Sequence, residues 1–203
     1  IHTATACNVF RVEKEKVTPE MRRRAKVINF GILYGMGVNA LAQNLDVPRE
    51  EASLFLDAYF REYPDLFRYF EKIKKEARVK GYVETIFGRK RFLPDMNSAF
   101  SYIQSEAERM AVNMPIQGSE ADMMKKAMDS VFSFIGNSKT LNGKVNMILQ
   151  IHDELLFEAR NDILSDAIKF IPPILEGVYP NDQVEFSVET KTGPNWADLR
   201  NVK

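Results

Sequence analysis

Residues 22–35 read Arg-Arg-Arg-Ala-Lys-Val-Ile-Asn-Phe-Gly-Ile-Leu-Tyr-Gly, and this stretch predicts both a helix and its use. Arg22, Lys26 and Phe30 recur every four residues, so on a helix they lie on one face, roughly 6 Å apart along the axis. Tyr34 follows one turn later. Two cations followed by aromatic rings complement a nucleoside triphosphate, which has its charge at one end and a flat base at the other. From this face alone, an ordinary solvated basic surface is an equally good interpretation.

The composition excludes several classes of protein. The 203 residues are 45% hydrophobic, which is enough for a sizeable core, and no apolar run approaches the length of a membrane span. The 28 basic and 28 acidic residues cancel, so net charge alone does not indicate nucleic-acid binding. The lone Cys7 excludes an internal disulfide and a cysteine-based zinc site. We expect a cytoplasmic protein that does not contact a membrane.

Local signals predict an α+β protein whose first half is helical. Thr18 and Pro19 have the N-cap and first-position chemistry that begins the helix carrying the basic face. Gly31 and Gly35 are expected to leave space open beside that face. Further helices are predicted at 38–44, from 46–48 onward, from 64 to near 81, at 98–134 with a bend or interruption near Pro115 and Gly118, and at 163–175. Strands are predicted at Tyr82–Ile86 with Arg91–Leu93, at Lys144–Ile151 with Glu154–Ala159, and at Val184–Thr190.

An acidic turn, His152-Asp153-Glu154, joins the second pair of predicted strands. A hairpin tip holds its side chains beyond the sheet, and Mg²⁺ prefers carboxylate oxygens, usually one or two from protein with phosphates supplying others. Asp153 fits that role. Asp-Glu is also common at hairpin turns because turns are polar, so the motif by itself does not establish a metal site.

A polar stripe lies on the long predicted helix, where Arg109, Asn113 and Gln117 recur every four residues. These side chains donate hydrogen bonds of the kind that contact phosphates or the minor groove of a duplex. Arg91 belongs to a short basic cluster in the first hairpin. Exposure to solvent explains the polar stripe equally well when it is taken alone, and it is the better explanation of the basic cluster.

These motifs occur together in one sequence, and in their order the sequence resembles the family A DNA polymerases. The Arg22–Gly35 stretch resembles motif B of that family, and His152-Asp153-Glu154 resembles motif C. Four more segments are similar to family segments: 1–6, 88–94, 108–118 and 193–196. The resemblance covers essentially the whole chain.

The resemblance implies the right-hand polymerase fold, with residues 1–97 as a helical, fingers-like part and residues 98–203 as the C-terminal part of the palm. It implies a template-directed transfer of nucleotides from dNTPs to a primer 3′-hydroxyl, and a monomer, nucleoid-associated if bacterial, that binds primer–template DNA. Triphosphate contacts are implied for His2, Arg22 and Lys26, with Phe30 on the sugar and base and Tyr34 at the template-base position. Primer or template contacts are implied for Arg91, Arg109, Asn113, Gln117, His152 and Glu154. Asp153 is implied as a ligand of catalytic Mg²⁺ in a two-metal site, making Asp153, Lys26 and Arg22 the candidate catalytic residues.

One part of the family pattern has no counterpart in the sequence. Motif A, whose aspartate is the other metal ligand, precedes the segment resembling Ile1 onward. We therefore expect the second ligand upstream of residue 1, and little or no synthesis by these 203 residues alone. Trp196 and the short tail after it predict a natural C-terminus.

Two other functions remain open. A single-subunit RNA polymerase of the phage type shares a lysine and a Tyr-Gly in its equivalent helix, although the Lys26–Phe30–Tyr34 spacing favours the DNA enzyme. A non-catalytic nucleic-acid-binding module derived from a polymerase is the second, against which intact Arg22, Lys26 and Asp153 argue.

Overall fold

The computed structural model describes residues 1–181 and 183–202 and shows a mainly helical protein with small antiparallel sheets, which confirms the predicted α+β class. The helices are α1 (His2–Phe10), α2 (Pro19–Leu33), α3 (Val38–Leu45), α4 (Arg49–Glu62), α5 (Pro64–Lys80), α6 (Ser101–Asn137) and α7 (Leu164–Glu176). The strands form three hairpins: β1 (Tyr82–Glu84) with β2 (Lys90–Phe92), β3 (Val145–Ile151) with β4 (Glu154–Ala159), and β5 (Lys191–Thr192) with β6 (Arg200–Asn201). Across 1–181 and 183–202, no helix has both the length and the hydrophobicity needed to cross a lipid bilayer.

The chain divides into two compact units, Ile1–Ser119 and Glu120–Lys203, with the division inside α6. The predicted separation of fingers from palm after residue 97 lies ahead of that helix, and the subdomain assignment stays a prediction. Each unit has its own apolar core. The first unit contains two clusters, one among α2, α3 and α4 and one among α5, β1 and α6, while the second unit has one cluster built on β3, β4 and α7.

Helix α2 presents one face to the core and the other to solvent. Ala25, Ile28 and Ile32 are buried, because the 3.6-residue period returns them to the same side. Thr18 caps the helix as predicted: its hydroxyl accepts the Met21 N–H at 3.2 Å, and Pro19 takes the first position. The core therefore fixes the orientation of α2 and leaves its basic face free.

Thr18→Ala tests the cap. We expect it to lower the free energy of unfolding by about 1 kcal/mol, because the Met21 N–H loses its acceptor. Denaturant unfolding monitored by circular dichroism measures the change. Thr140→Ala, at an exposed turn position, is the control and should change stability by less than half as much. Equal effects of the two substitutions would contradict a capping role.

Helix α6 is continuous, so the predicted interruption near Pro115 and Gly118 is wrong. Pro115 removes one intrahelical hydrogen bond, but the remaining turns of this 37-residue helix outweigh that loss. Ser119 adds local support, since its hydroxyl donates to the Pro115 carbonyl and accepts the Ile86 N–H at 2.9 Å. The loop of the first hairpin is thereby attached to the helix.

The predicted strand Val184–Thr190 is also wrong, because residues 183–190 are not in a strand. Val184, Phe186 and Val188 do alternate, yet all three are exposed. A strand needs a neighbour to take its backbone hydrogen bonds, and within the described residues no strand pairs with this segment. At its end, the Thr190 carbonyl accepts the Val202 N–H at 2.9 Å. The Val188 N–H donates instead to the Glu176 carboxylate at 2.9 Å.

Candidate nucleotide and nucleic-acid site

The basic face of α2 is exposed, as the sequence predicts. Arg22, Lys26 and Phe30 lie on the solvent side, and Tyr34 follows as the residue that ends the helix, its N–H donating to the Phe30 carbonyl at 2.8 Å. The Phe30 and Tyr34 rings stack with centroids 6.2 Å apart and an interplanar angle of 22°. The Lys26 Nζ lies 5.7 Å from the Phe30 ring centre. The order cation, cation, ring, ring is therefore present on one continuous face.

The structure separates the four neighbouring cations into two pairs with different uses. Arg23 forms a two-point ion pair with Glu20, at 2.7 and 2.8 Å. Arg24 donates to the carbonyls at the C-terminal end of α3 and lies over an aromatic ring of α1. Arg22 and Lys26 form no ion pair with any residue in 1–181 or 183–202. The two cations predicted to contact phosphate are thus the two that remain available.

His2 joins this face from α1. Its ring centre is 5.8 Å from that of Phe30, and its Nδ1 lies 2.9 Å from the Nδ2 of Asn29. Removal from water lowers the pKa of His2, and the charges of Arg22 and Lys26 lower it further. The imidazole therefore stays neutral to lower pH than a free histidine. Neither α1 nor Asn29 was anticipated from the sequence, since Ile1 offers no side-chain cap and α1 buries little.

Two of the three residues in the polar stripe of α6 contact the end of α2. The Asn113 Nδ2 donates to the Tyr34 carbonyl at 3.1 Å. Arg109 is exposed and its stem lies against Gly35. Gln117 is exposed further along the helix. Arg91 also reaches α6, where its guanidinium lies 2.8 Å from the Met110 sulfur.

The expectation that Gly31 and Gly35 leave open space is wrong, because neighbouring side chains fill it. A Cβ added at Gly31 would collide with Met36, and one at Gly35 would lie 3.0 Å from the Arg109 Cγ. Gly35 also has φ +80°, a left-handed conformation that favours glycine. The glycines allow close approach between segments rather than a cavity.

Gly35→Ala is expected to lower the free energy of unfolding by about 1–2 kcal/mol, from the left-handed backbone alone. The contact with Arg109 adds to that cost. Chemical denaturation gives the measurement. Gly37→Ala is the matched control, since its φ is −84° and an added Cβ would meet nothing within 4 Å. A Gly37 variant as unstable as the Gly35 variant would show that the conformation of Gly35 is not the cause.

The acidic turn is a separate element in the second unit. His152 and Asp153 form the two-residue turn between β3 and β4, closed by the Ile151–Glu154 pair. His152 has φ 52°, and its carbonyl accepts from the Gln150 side chain at 3.1 Å. All three residues of the acidic motif are exposed. Within 1–181 and 183–202, Asp153 makes no hydrogen bond or ion pair, so its carboxylate is available to a ligand.

The donor set at this turn fits part of a magnesium site. Asp153 offers one free carboxylate, and Glu154 is adjacent in sequence. Among the residues described, no group of three or more histidine, cysteine, aspartate or glutamate side chains is arranged to hold a metal ion. A cation at Asp153 therefore needs oxygen ligands from outside this set, such as substrate phosphates or a further carboxylate.

Comparison with known proteins gives one consistent result. The sequence model for DNA polymerase family A matches residues 1–198. The chain is 43% identical over 200 residues to the thermostable DNA polymerase I of Thermus aquaticus, covering 98% of this chain and 23% of that protein. It is 42% identical to the DNA polymerase I of Bacillus subtilis strain 168, again over 98% of the chain and 22% of the relative.

A solved structure agrees with the sequence matches. The POL domain of Pol1 from M. smegmatis, in a complex with DNA primer–template and dNTP, superimposes with a TM-score of 0.79 and 36% identity, covering 89% of this chain and 31% of that one. The chain thus spans less than a quarter of the length of each of the two curated relatives described above. The match over residues 1–198, together with identity above 40% across the chain, shows that the chain belongs to DNA polymerase family A.

Proposed function

We propose that this chain forms the nucleotide-gripping and part of the catalytic portion of a DNA-directed DNA polymerase. The observation that carries the proposal is the α2 face, where the unpaired Arg22 and Lys26 precede the stacked rings of Phe30 and Tyr34. The relative whose structure is similar was solved with primer–template and dNTP, which supports the same ligands here.

Each side chain on the α2 face has a distinct task in nucleotide binding. Arg22 and Lys26 bind triphosphate oxygens. No carboxylate in the described ranges is paired with either cation. Phe30 packs against the sugar and base, and Tyr34 guards the template-base position. Lys26 also stabilises the charge that develops on departing pyrophosphate.

The chain's contribution to a metal site is the Asp153 carboxylate, with His152 and Glu154 at the primer terminus. Divalent magnesium, when bound, lowers the pKa of the primer hydroxyl and neutralises the leaving group. Arg91, Arg109, Asn113 and Gln117 hold the primer–template through phosphate and minor-groove contacts. We expect these contacts in a monomeric enzyme.

Primer extension by the full-length protein tests the proposal. We expect magnesium-dependent synthesis with dNTPs and little with rNTPs. Preferential use of rNTPs would identify an RNA polymerase relative instead. Binding of primer–template without any extension would favour a non-catalytic DNA-binding module.

The 203-residue chain alone is expected to bind a dNTP but to synthesise little or no DNA, since Asp153 is the one metal ligand that it is expected to supply and the motif A aspartate is expected outside it. The same primer-extension assay, run beside the full-length protein, checks this. Magnesium-dependent synthesis by residues 1–203 at a rate close to that of the full-length protein would contradict it.

A further inference from the structure

Asn29 is a buried amide on the apolar side of α2. It is 2% exposed and lies among Ala25, Ile28 and Ile32, where an aliphatic side chain would pack without cost. A buried amide is destabilising unless its groups are hydrogen-bonded. Asn29 has a partner at each end of its amide, and both belong to α1: the Thr5 hydroxyl and the His2 ring.

The direction of these hydrogen bonds determines which nitrogen of His2 carries the proton. The Thr5 hydroxyl, itself 3% exposed, lies 3.0 Å from the Asn29 Oδ1 and 3.3 Å from the Ile1 carbonyl. The Ile1 carbonyl already accepts the Thr5 N–H at 3.0 Å, so the hydroxyl proton goes to the closer Asn29 Oδ1. The amide nitrogen Nδ2 therefore faces His2, and an amide nitrogen only donates. The His2 Nδ1 at 2.9 Å is consequently the acceptor, and the proton of the neutral ring lies on Nε2.

The charges facing this ring favour its neutral form. Removal from water lowers the pKa of His2, and the charges of Arg22 and Lys26, which approach from α2, lower it further. A neutral ring whose Nδ1 is occupied has one N–H left to offer. That donor stands beside the two cations that, on the function proposed above, receive the triphosphate.

We propose that Asn29 is a positioning residue for triphosphate binding, which holds His2 as an Nε2–H donor next to Arg22 and Lys26. Thr5 fixes the orientation of the Asn29 amide and so acts on His2 through Asn29. This inference rests on the proposed function of the α2 face, and it adds a residue that does not itself contact the nucleotide.

Nitrogen-15 NMR of the full 203-residue chain tests the assignment. The sequence has two histidines, so His152 serves as the reference in the same spectrum. We expect His2 in the Nε2–H form. We expect Asn29→Leu to abolish that preference and to weaken dATP binding about tenfold, the value of one hydrogen bond to a charged group. Inorganic tripolyphosphate should lose affinity to the same extent, because the effect is on phosphate.

Milder variants keep the test valid if Asn29→Leu does not fold. Thr5→Val preserves shape but removes the hydroxyl, and should shift the tautomer and reduce dATP affinity in the same direction. Thr5→Ser keeps the hydroxyl and should restore both. Asn44→Leu is the control for the amide substitution, since Asn44 is exposed and its side chain donates to the Ala40 carbonyl within α3.

The outcomes separate this inference from the proposed function. Absence of dATP-induced shifts at Arg22 and Lys26 in the unmodified chain would refute triphosphate binding itself. Binding of dATP with His2 in the Nδ1–H form would overturn the role of Asn29 alone. So would an Asn29→Leu or Thr5→Val chain that folds and retains both the tautomer and the affinity.

Discussion

Lys26→Ala is expected to slow nucleotide incorporation by the full-length protein about 10²–10³-fold, the usual cost of removing one group that stabilises transition-state charge. Lys26 is exposed, and within the described ranges it forms no ion pair. Its removal should therefore leave the fold intact. Single-turnover incorporation of one dNTP separates the rate of chemistry from the affinity for nucleotide. We expect the larger change in the rate, because charge on the pyrophosphate increases as it leaves.

Arg23→Ala is the matched control, since it removes one positive charge three residues away on the same helix. Arg23 is exposed and paired with Glu20, and an exposed ion pair contributes little to stability. We expect the incorporation rate of this variant to stay within about twofold of the unmodified enzyme, since Arg23 is already paired with Glu20. If both variants lost activity equally, the effect would be general electrostatic attraction of DNA or dNTP, and the specific role of Lys26 would be wrong.

Asp153→Asn is expected to reduce synthesis by at least about a thousandfold, because metal stabilisation of phosphoryl transfer is worth several kcal/mol. The substitution keeps the size of the side chain but removes the charge that binds magnesium. Asp153 lies exposed in a two-residue turn, so the unfolding midpoint should not change. Primer extension across a magnesium titration, with DNA affinity measured in parallel, provides the data.

Glu158→Gln controls for loss of one negative charge on the same hairpin. Glu158 is exposed on β4, where it pairs across the ladder with Asn146. DNA synthesis by the Glu158→Gln enzyme should match that of the unmodified enzyme. An Asp153→Asn enzyme that kept its activity across the whole magnesium titration would show that Asp153 is not the required ligand.

Features specified by neighbouring residues were predictable from sequence. The cap at Thr18, the exposed face of α2 and the turn at His152-Asp153 each depend on a few consecutive residues. The α2 face could be interpreted from sequence because the 3.6-residue period of a helix alone decides which side chains share a surface. The conclusion that Arg22 and Lys26, but not Arg23, are available needed the structure, since Glu20 could have reached more than one arginine.

Features that depend on distant partners were not predictable. Val184–Thr190 has the alternation of a strand, but pattern does not supply the neighbouring strand that pairing requires. Asn29 interrupts the apolar side of α2 in a way that has no local explanation. The explanation lies in α1, more than twenty residues earlier in the chain, where Thr5 and His2 form the hydrogen bonds that the Asn29 amide needs.

The contact between α6 and the end of α2 has a thermodynamic consequence. Asn113 and Arg109 touch Tyr34 and Gly35, and on the proposed function the same two side chains bind DNA. A duplex that orders them also orders the end of the nucleotide helix. By linkage, DNA must then raise the affinity for dNTP by the same factor by which dNTP raises the affinity for DNA. Loss of the Asn113 amide would weaken this cooperativity even where each ligand still binds alone.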